Sequence, residues 1–176
     1  TTTTAFNAQS ESWSNSLGSM SDRLARYLLA LQNEARTRTD DSPNNTTVVA
    51  YAYANYRKPP MTTQLNDRII LGYVPGFSFP WTQSMRDQTI NEMVGWMNQG
   101  ASMYLRPNYL LTGHNCPIFF AHKFGADFST LYAGNRMLAT DYDSLTGQYG
   151  GQALNLYMVT RMNTQVGELS ENEIRE

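Results

Sequence analysis

Asp141 and Asp143 stand two positions apart, directly after a short apolar run from Met137 to Thr140. Glycoside hydrolysis needs two carboxyl groups facing across the scissile bond. Side chains at i and i+2 of an extended segment point the same way. Both carboxyls can therefore face one site, and they form the candidate catalytic pair. Asp143, or Ser144 beside it, can equally cap a following turn.

Further polar and aromatic residues follow three other apolar runs. Tyr53, Tyr56 and Arg57 follow the first, Tyr73 and Trp81 close or follow the second, and Arg106, Asn108 and His114 follow the third. These types suit a sugar pocket. Tyr and Trp rings cover the apolar C–H face of a pyranose, while Asn, Arg and Asp hold hydroxyls. Arg57 or Arg106 matches a uronic carboxylate, because a guanidinium presents a fork of donors. The competing reading is a polar rim of ordinary loop residues. His114 and His122 lack matching carboxylates and read as surface or structurally bonded histidines, so no metal is expected. Cys116 is the single cysteine, which excludes an intrachain disulfide.

The elements that must carry these residues can be read along the chain. Residues 1–18 are polar and aperiodic, an extended lead-in. Over residues 20–38, Leu24, Tyr27, Leu28, Leu31 and Ala35 recur at helical spacing, with Ser19 or Ser21 as cap. Thr46 to Ala54 and Arg68 to Val74 are rich in β-branched and aromatic residues and nearly continuous in apolar character, as in parallel strands covered on both faces. Ser84 to about Asn98 predicts a second helix with Ile90, Met93, Val94 and Met97 inward, closed by Gly100. Ser102 to Leu105 predicts a third strand. Shorter helices are expected near Ile118–Phe124 and Phe128–Asn135, a fourth strand at Met137 to Thr140, and a last helix from about Tyr149 to Met162. In that last helix Leu154, Tyr157, Met158 and Arg161 form one stripe. Residues 166–176 form an acidic tail.

Alternation of this kind implies α/β architecture with a mostly parallel sheet. Neither GxGxxG nor GxxxxGK[ST] occurs, so a nucleotide-binding fold is disfavoured and no cofactor is called for. The 176 residues suit one domain. The net charge of −2 and the two lysines leave no basic footprint for nucleic acid, and no apolar run is long enough to span a membrane. Hydrophobic residues make up 41% and charged residues only 16%, with aromatics at 12%, a composition that leaves room for many uncharged polar contacts.

Several stretches carry a likeness. Ser21-Asp22-Arg23 opens a helix, and VVAYAYANYRKPP and LNDRIILGYVP follow. Gly95-Trp96-Met97 then ends a helix before SMYLRPNY and ATDYDSLTGQYGGQALNLYMVTRMN. In order and spacing, residues 20–165 resemble a bacterial glycoside-hydrolase-like domain of unknown function, distantly related to α-glucuronidases and hexosaminidases. The resemblance implies the second half of a (β/α)8 barrel, residues 19–165, with its site at the strand carboxyl ends. It implies a secreted or cell-surface bacterial protein whose signal is not in this chain. Its partners would be carbohydrate, and the remainder of the barrel or another protein chain. Upstream strands of the barrel are not in this sequence, so the chain by itself is expected to be inactive. The alternative is a non-catalytic structural or assembly protein that uses the half-barrel as a scaffold. In either case the inner sheet face, expected to bear Val49, Tyr51, Ile70 and Leu71, would need cover.

Overall fold

A computed structural model describes residues 18–39, 45–76, 81–108, 119–134, 136–142 and 152–165. The elements are helix α1 (Met20–Thr39), strand β1 (Val48–Ala52), a 3-10 turn (Ala54–Tyr56), β2 (Ile69–Tyr73), α2 (Gln83–Asn98), β3 (Ser102–Leu105), α3 (Ala121–Tyr132), β4 (Met137–Thr140) and α4 (Ala153–Thr164). Among the described residues the sheet has four strands, all parallel, in the order β1-β2-β3-β4. Strands that pair in chain order without reversal are singly wound. Because parallel crossovers share one hand, successive connections fall on one face of the sheet.

The burial pattern agrees. Val48, Ala52, Ile69, Leu71, Tyr73, Met103, Leu105 and Met137 join one core with Leu28, Met93, Trp96, Phe124, Phe128 and Met162 of the helices. The alternate positions face away, and Val49, Tyr51 and Leu138 are exposed there. Among the described residues no helix covers that second face. Leu71 is fully buried on the helix side, not on the bare face with Ile70, because consecutive strand residues point to opposite faces. In β4 the register slips between Met103↔Met137 and Tyr104↔Ala139, leaving Leu138 as the extra residue of a bulge.

The helices form where expected. Leu28, Met93, Met97 and Met158 lie inward as read, but each buried face also takes in polar residues and leaves some expected apolar ones outside. Helix α1 buries Ser21, Asp22, Ala25, Leu28 and Gln32, while Tyr27 and Leu31 are exposed. Helix α2 is capped by Thr82 rather than Ser84, its hydroxyl accepting from the Met85 amide, and Glu92 takes an inward position where Val94 was expected. Helix α4 buries Asn155 and Val159, leaving Leu154 and Tyr157 outside. Instead of two short helices, α3 is one helix running through Gly125. Gly125 is buried between Phe124 and Phe128, so packing overrides its weak helical preference.

Buried polar residues explain the altered helix faces. Ser19 caps α1, its Oγ accepting from the Asp22 amide. The Asp22 carboxylate then gathers the loop that follows the double proline. Its Oδ1 accepts from the amides and hydroxyls of Thr62 and Thr63, and its Oδ2 from the Met61 amide and the Ser19 hydroxyl. Burial pushes this carboxyl's pKa up, but the donors outweigh it and hold the group far below the usual carboxylate range. At the other end of the helix, Gln32 donates to the Thr46 carbonyl and accepts from Asn66. Gly100, with φ near 103°, lets the chain pass close to the Leu65 carbonyl, where a Cβ would approach to 2.5 Å.

Candidate functional site

The strand carboxyl ends present two different surfaces, one on each face of the sheet. On the bare face, register lines up Tyr51, Gly72 and Tyr104 across β1, β2 and β3. Gly72 has no side chain, and Tyr104 fills the space. A Cβ at Gly72 would lie 2.5 Å from the Tyr104 Cζ, so the hydroxyl end of the ring lies over the middle strand. It meets Tyr51 edge-on, with ring centroids 6.2 Å apart and an interplanar angle of 66°. Two residues beyond Tyr104, Arg106 places its guanidinium carbon 5.2 Å from the centroid of the Tyr51 ring, within cation–π range. Its Nε donates to Asp141 Oδ2 at 3.1 Å. The bulge in β4 brings Asp141 to this position, and its amide donates to the Leu105 carbonyl.

The cluster is open. Tyr51 and Tyr53 are 44% and 48% exposed, and the Asp141 side chain is 51% exposed. Burial and the neighbouring Tyr51 and Asp141 push the Tyr104 hydroxyl's pKa up, so it stays protonated at neutral pH. The result is an aromatic platform bordered by one guanidinium and one half-exposed carboxylate. Such a surface can stack on a ring's apolar face and offer both donors and acceptors at its edge.

On the helix side, Tyr73 and Arg57 converge on Glu92 of α2. Glu92 Oε2 accepts from Tyr73 Oη at 2.6 Å and from Arg57 Nε at 2.9 Å, and Oε1 accepts from Gln88 at 2.7 Å. Burial pushes the Glu92 carboxyl up, but the bonds from Gln88, Tyr73 and Arg57 hold it below the usual range. The Tyr73 hydroxyl is pushed up by burial and by the Glu92 carboxylate. The Arg57 carbonyl accepts from Trp96 Nε1 at 2.8 Å. Trp81 is buried, its ring 5.4 Å from that of Phe120.

The rim residues expected from the sequence are therefore divided. Arg106 and Asp141 meet on the bare face, with Tyr53 exposed on β1's continuation. Arg57, Tyr73 and Trp81 point into the helix layer. Tyr56 is half-buried in the 3-10 turn, and Asn108 is half-buried beyond β3, its Oδ1 without a hydrogen-bond partner among the described residues. Asp143, the second carboxyl of the candidate pair, and His114 lie outside the described residues. His122 is exposed on α3. Among the described residues no group of His, Cys, Asp and Glu could hold a metal ion, and no helix is long and apolar enough to cross a membrane.

Tyr104, Gly72 and Glu92 were missed as rim residues. A glycine amid bulky strand residues was the available signal for the first two, since it marks a close approach. Glu92 gave none, because a glutamate in a helix is ordinary. In comparison with known proteins, the chain matches no family model, no curated protein and no solved structure.

Proposed function

We propose that the chain is a carbohydrate-binding segment of a glycoside-hydrolase-like α/β barrel, taking sugar on the bare sheet face at the strand carboxyl ends. The observation that carries this reading is the Tyr51–Tyr104 platform with the Arg106–Asp141 pair beside it. A pyranose presents an apolar face and a hydroxyl edge, and the cluster offers the complement of both. The singly wound parallel sheet, helices on one face and the other bare, supports the barrel part, since a (β/α)8 barrel winds its helices outside and packs side chains within. Export to a bacterial surface rich in polysaccharide belongs to the same reading. A glycan array probed with the chain and with Tyr51→Ala is the test. Binding lost in the variant is expected, and no binding by the parent chain would sink the reading. By itself the chain should hydrolyse no aryl glycoside or glucuronide. Turnover that disappears in Asp141→Asn would promote it to an enzyme.

A second reading, a non-catalytic scaffold in a larger assembly, is favoured by Val49 and Leu138, which are 61% and 53% exposed on the same face and have no role in holding hydroxyls. The outer strands β1 and β4 of the described sheet add unpaired backbone groups. Sedimentation at micromolar concentration tests it. The expectation is association with a second copy or a partner, and a cooperative monomer would overturn it.

A further inference from the structure

We propose that a groove on the helix side, between α2 and the Lys58–Pro59 segment, is a second binding site, for a small hydroxyl-rich ligand of monosaccharide to disaccharide size. The groove has a volume of about 570 Å³, inside the range of small-molecule sites. Its shape follows from one close approach. Pro59 sits directly on α2 at Gly95, where a Cβ would lie 2.6 Å from the proline Cγ. That contact pins the lower end of the segment to the helix, and the space opens above it toward the first turns of α2.

One stripe of the helix faces the opening. Ser84, Asp87, Asn91 and Glu92 recur at the spacing of one helical face, with Gln88 between them and Lys58 opposite. The floor is fixed, because Glu92 is held by Arg57, Tyr73 and Gln88. The walls are not committed in this way. Among the described residues the Lys58 ammonium, the Ser84 hydroxyl and the Asn91 amide have no side-chain partner, and Asp87 accepts from Gln83 through Oδ1 alone. The groove is open, and along it stand an ammonium, a hydroxyl, an amide and a carboxylate oxygen, all on exposed side chains.

The mixture selects the ligand class. A sugar hydroxyl donates and accepts at once, so it is matched by a wall carrying both kinds of group. A simple anion would meet Asp87 and Glu92, and a simple cation would meet Lys58. The ring of Pro59 supplies an apolar surface without an aromatic. This site lies on the opposite side of the sheet from the Tyr51 platform and does not depend on it.

The test is titration of the isotopically labelled chain with D-glucose and with cellobiose, following backbone amide shifts. Saturable shifts at Lys58, Ser84, Asp87, Gln88 and Asn91 are expected, with a dissociation constant in the millimolar range usual for a small, wet site. The double variant Ser84→Ala, Asn91→Ala changes only exposed side chains and should weaken those shifts about ten-fold or more. Tyr51→Ala should leave them intact. The proposal is overturned if the groove amides do not saturate with either sugar, or if the double variant binds as the parent does. A saturable response to methylammonium or acetate that exceeds the response to the sugars would also overturn it. Shifts confined to the bare face would sink the groove while sparing the platform.

Discussion

Two arginine–carboxylate pairs stand near the carboxyl ends of the strands, one on each face of the sheet. Their arginines are similarly exposed, at 22% and 28%, but their carboxylates differ. Arg57 and Glu92 are closed in. Their side chains are 22% and 9% exposed, both Glu92 oxygens are engaged, and the Arg57 carbonyl also holds Trp96. Arg106 and Asp141 are joined by one bond of 3.1 Å over the Tyr51 ring, and the Asp141 side chain is half exposed. A desolvated pair whose members carry further hydrogen bonds cannot lose one partner cheaply, because the survivor is left charged and buried. An exposed pair contributes little to stability and can exchange its partner for a ligand. An arginine–carboxylate pair thus serves the fold on one face, while on the other the carboxylate is offered to solvent.

Four substitutions on the helix side should destabilise the protein to graded extents. The largest effect is expected for Asp22→Asn. The amide cannot serve the donors of Met61, Thr62, Thr63 and Ser19 as a carboxylate does, and charged acceptors contribute about 1.5–3 kcal/mol per bond. A loss of about 3 kcal/mol or more in denaturant unfolding is expected. Because the folded carboxyl titrates below its unfolded value of about 3.9, its contribution is complete above that pH and is lost as pH falls toward the folded value. Stability of the parent should therefore drop more steeply below about pH 4 than that of the variant. Parallel acid profiles would show that Asp22 is not the clasp described.

Glu92→Gln comes next. It strips Arg57 of its counter-charge and should cost about 2–4 kcal/mol, discounted from a fully buried pair because Arg57 retains some solvent. Tyr73→Phe removes one bond to the same carboxylate and should cost about 1–2 kcal/mol. Combined with Glu92→Gln it should cost less than the sum, since both act on one network. Strict additivity would break the claim of a single closed unit. Gly95→Ala is the fourth. Its methyl meets Pro59, and overpacking of that kind costs about 1–3 kcal/mol.

The strands were legible because local composition and pairing agreed. Ser102–Leu105 and Met137–Thr140 form as read, and β1 and β2 lie within the runs 46–54 and 68–74. Parallel pairing was legible from the alternation of elements. Helix faces were legible only in part: Leu28, Met93, Met97 and Met158 lie inward as read, but apolar spacing marks the whole buried side only when no polar residue belongs inside. Asp22, Gln32, Glu92 and Asn155 do belong there, each held by side-chain or backbone partners, and they turn Tyr27, Leu31, Val94 and Leu154 outward. The motifs around Ser21-Asp22, the double proline and Gly95-Trp96 prove to be one physical unit. Ser21 donates to the Lys58 carbonyl, Pro59 rests on Gly95 and Trp96 holds Arg57. Of the rim, Arg106 and Asp141 were legible as strand-end residues, though not as a pair. Which face Arg57 and Tyr73 take was not, because it depends on cross-strand register and on the turn after β1. That turn begins at Ala54 with φ 48°, a left-handed residue no pattern announces.

The smallest effect on stability should come from the open pair, and it carries the sharpest functional contrast. Asp141→Asn removes a half-exposed charge whose single bond is to Arg106 among the described residues. Its unfolding free energy should change by less than about 1 kcal/mol, as for other exposed pairs. Arg106 should stay over Tyr51, because stacking on the ring does not need the carboxylate. Sugar binding on the bare face should nonetheless weaken, since a carboxylate accepts from two hydroxyls where the amide accepts through one oxygen. Arg106→Lys separates the two contributions. The charge is kept, but a compact ammonium neither lies flat on Tyr51 nor presents a fork. It should therefore bind sugar more weakly than Asp141→Asn while unfolding at nearly the parent denaturant midpoint. The measurement pairs denaturant unfolding with glycan binding for both variants. If Asp141→Asn proved as destabilising as Glu92→Gln, the open pair would be a structural element like the closed one, and the bare face would lose its claim to a ligand.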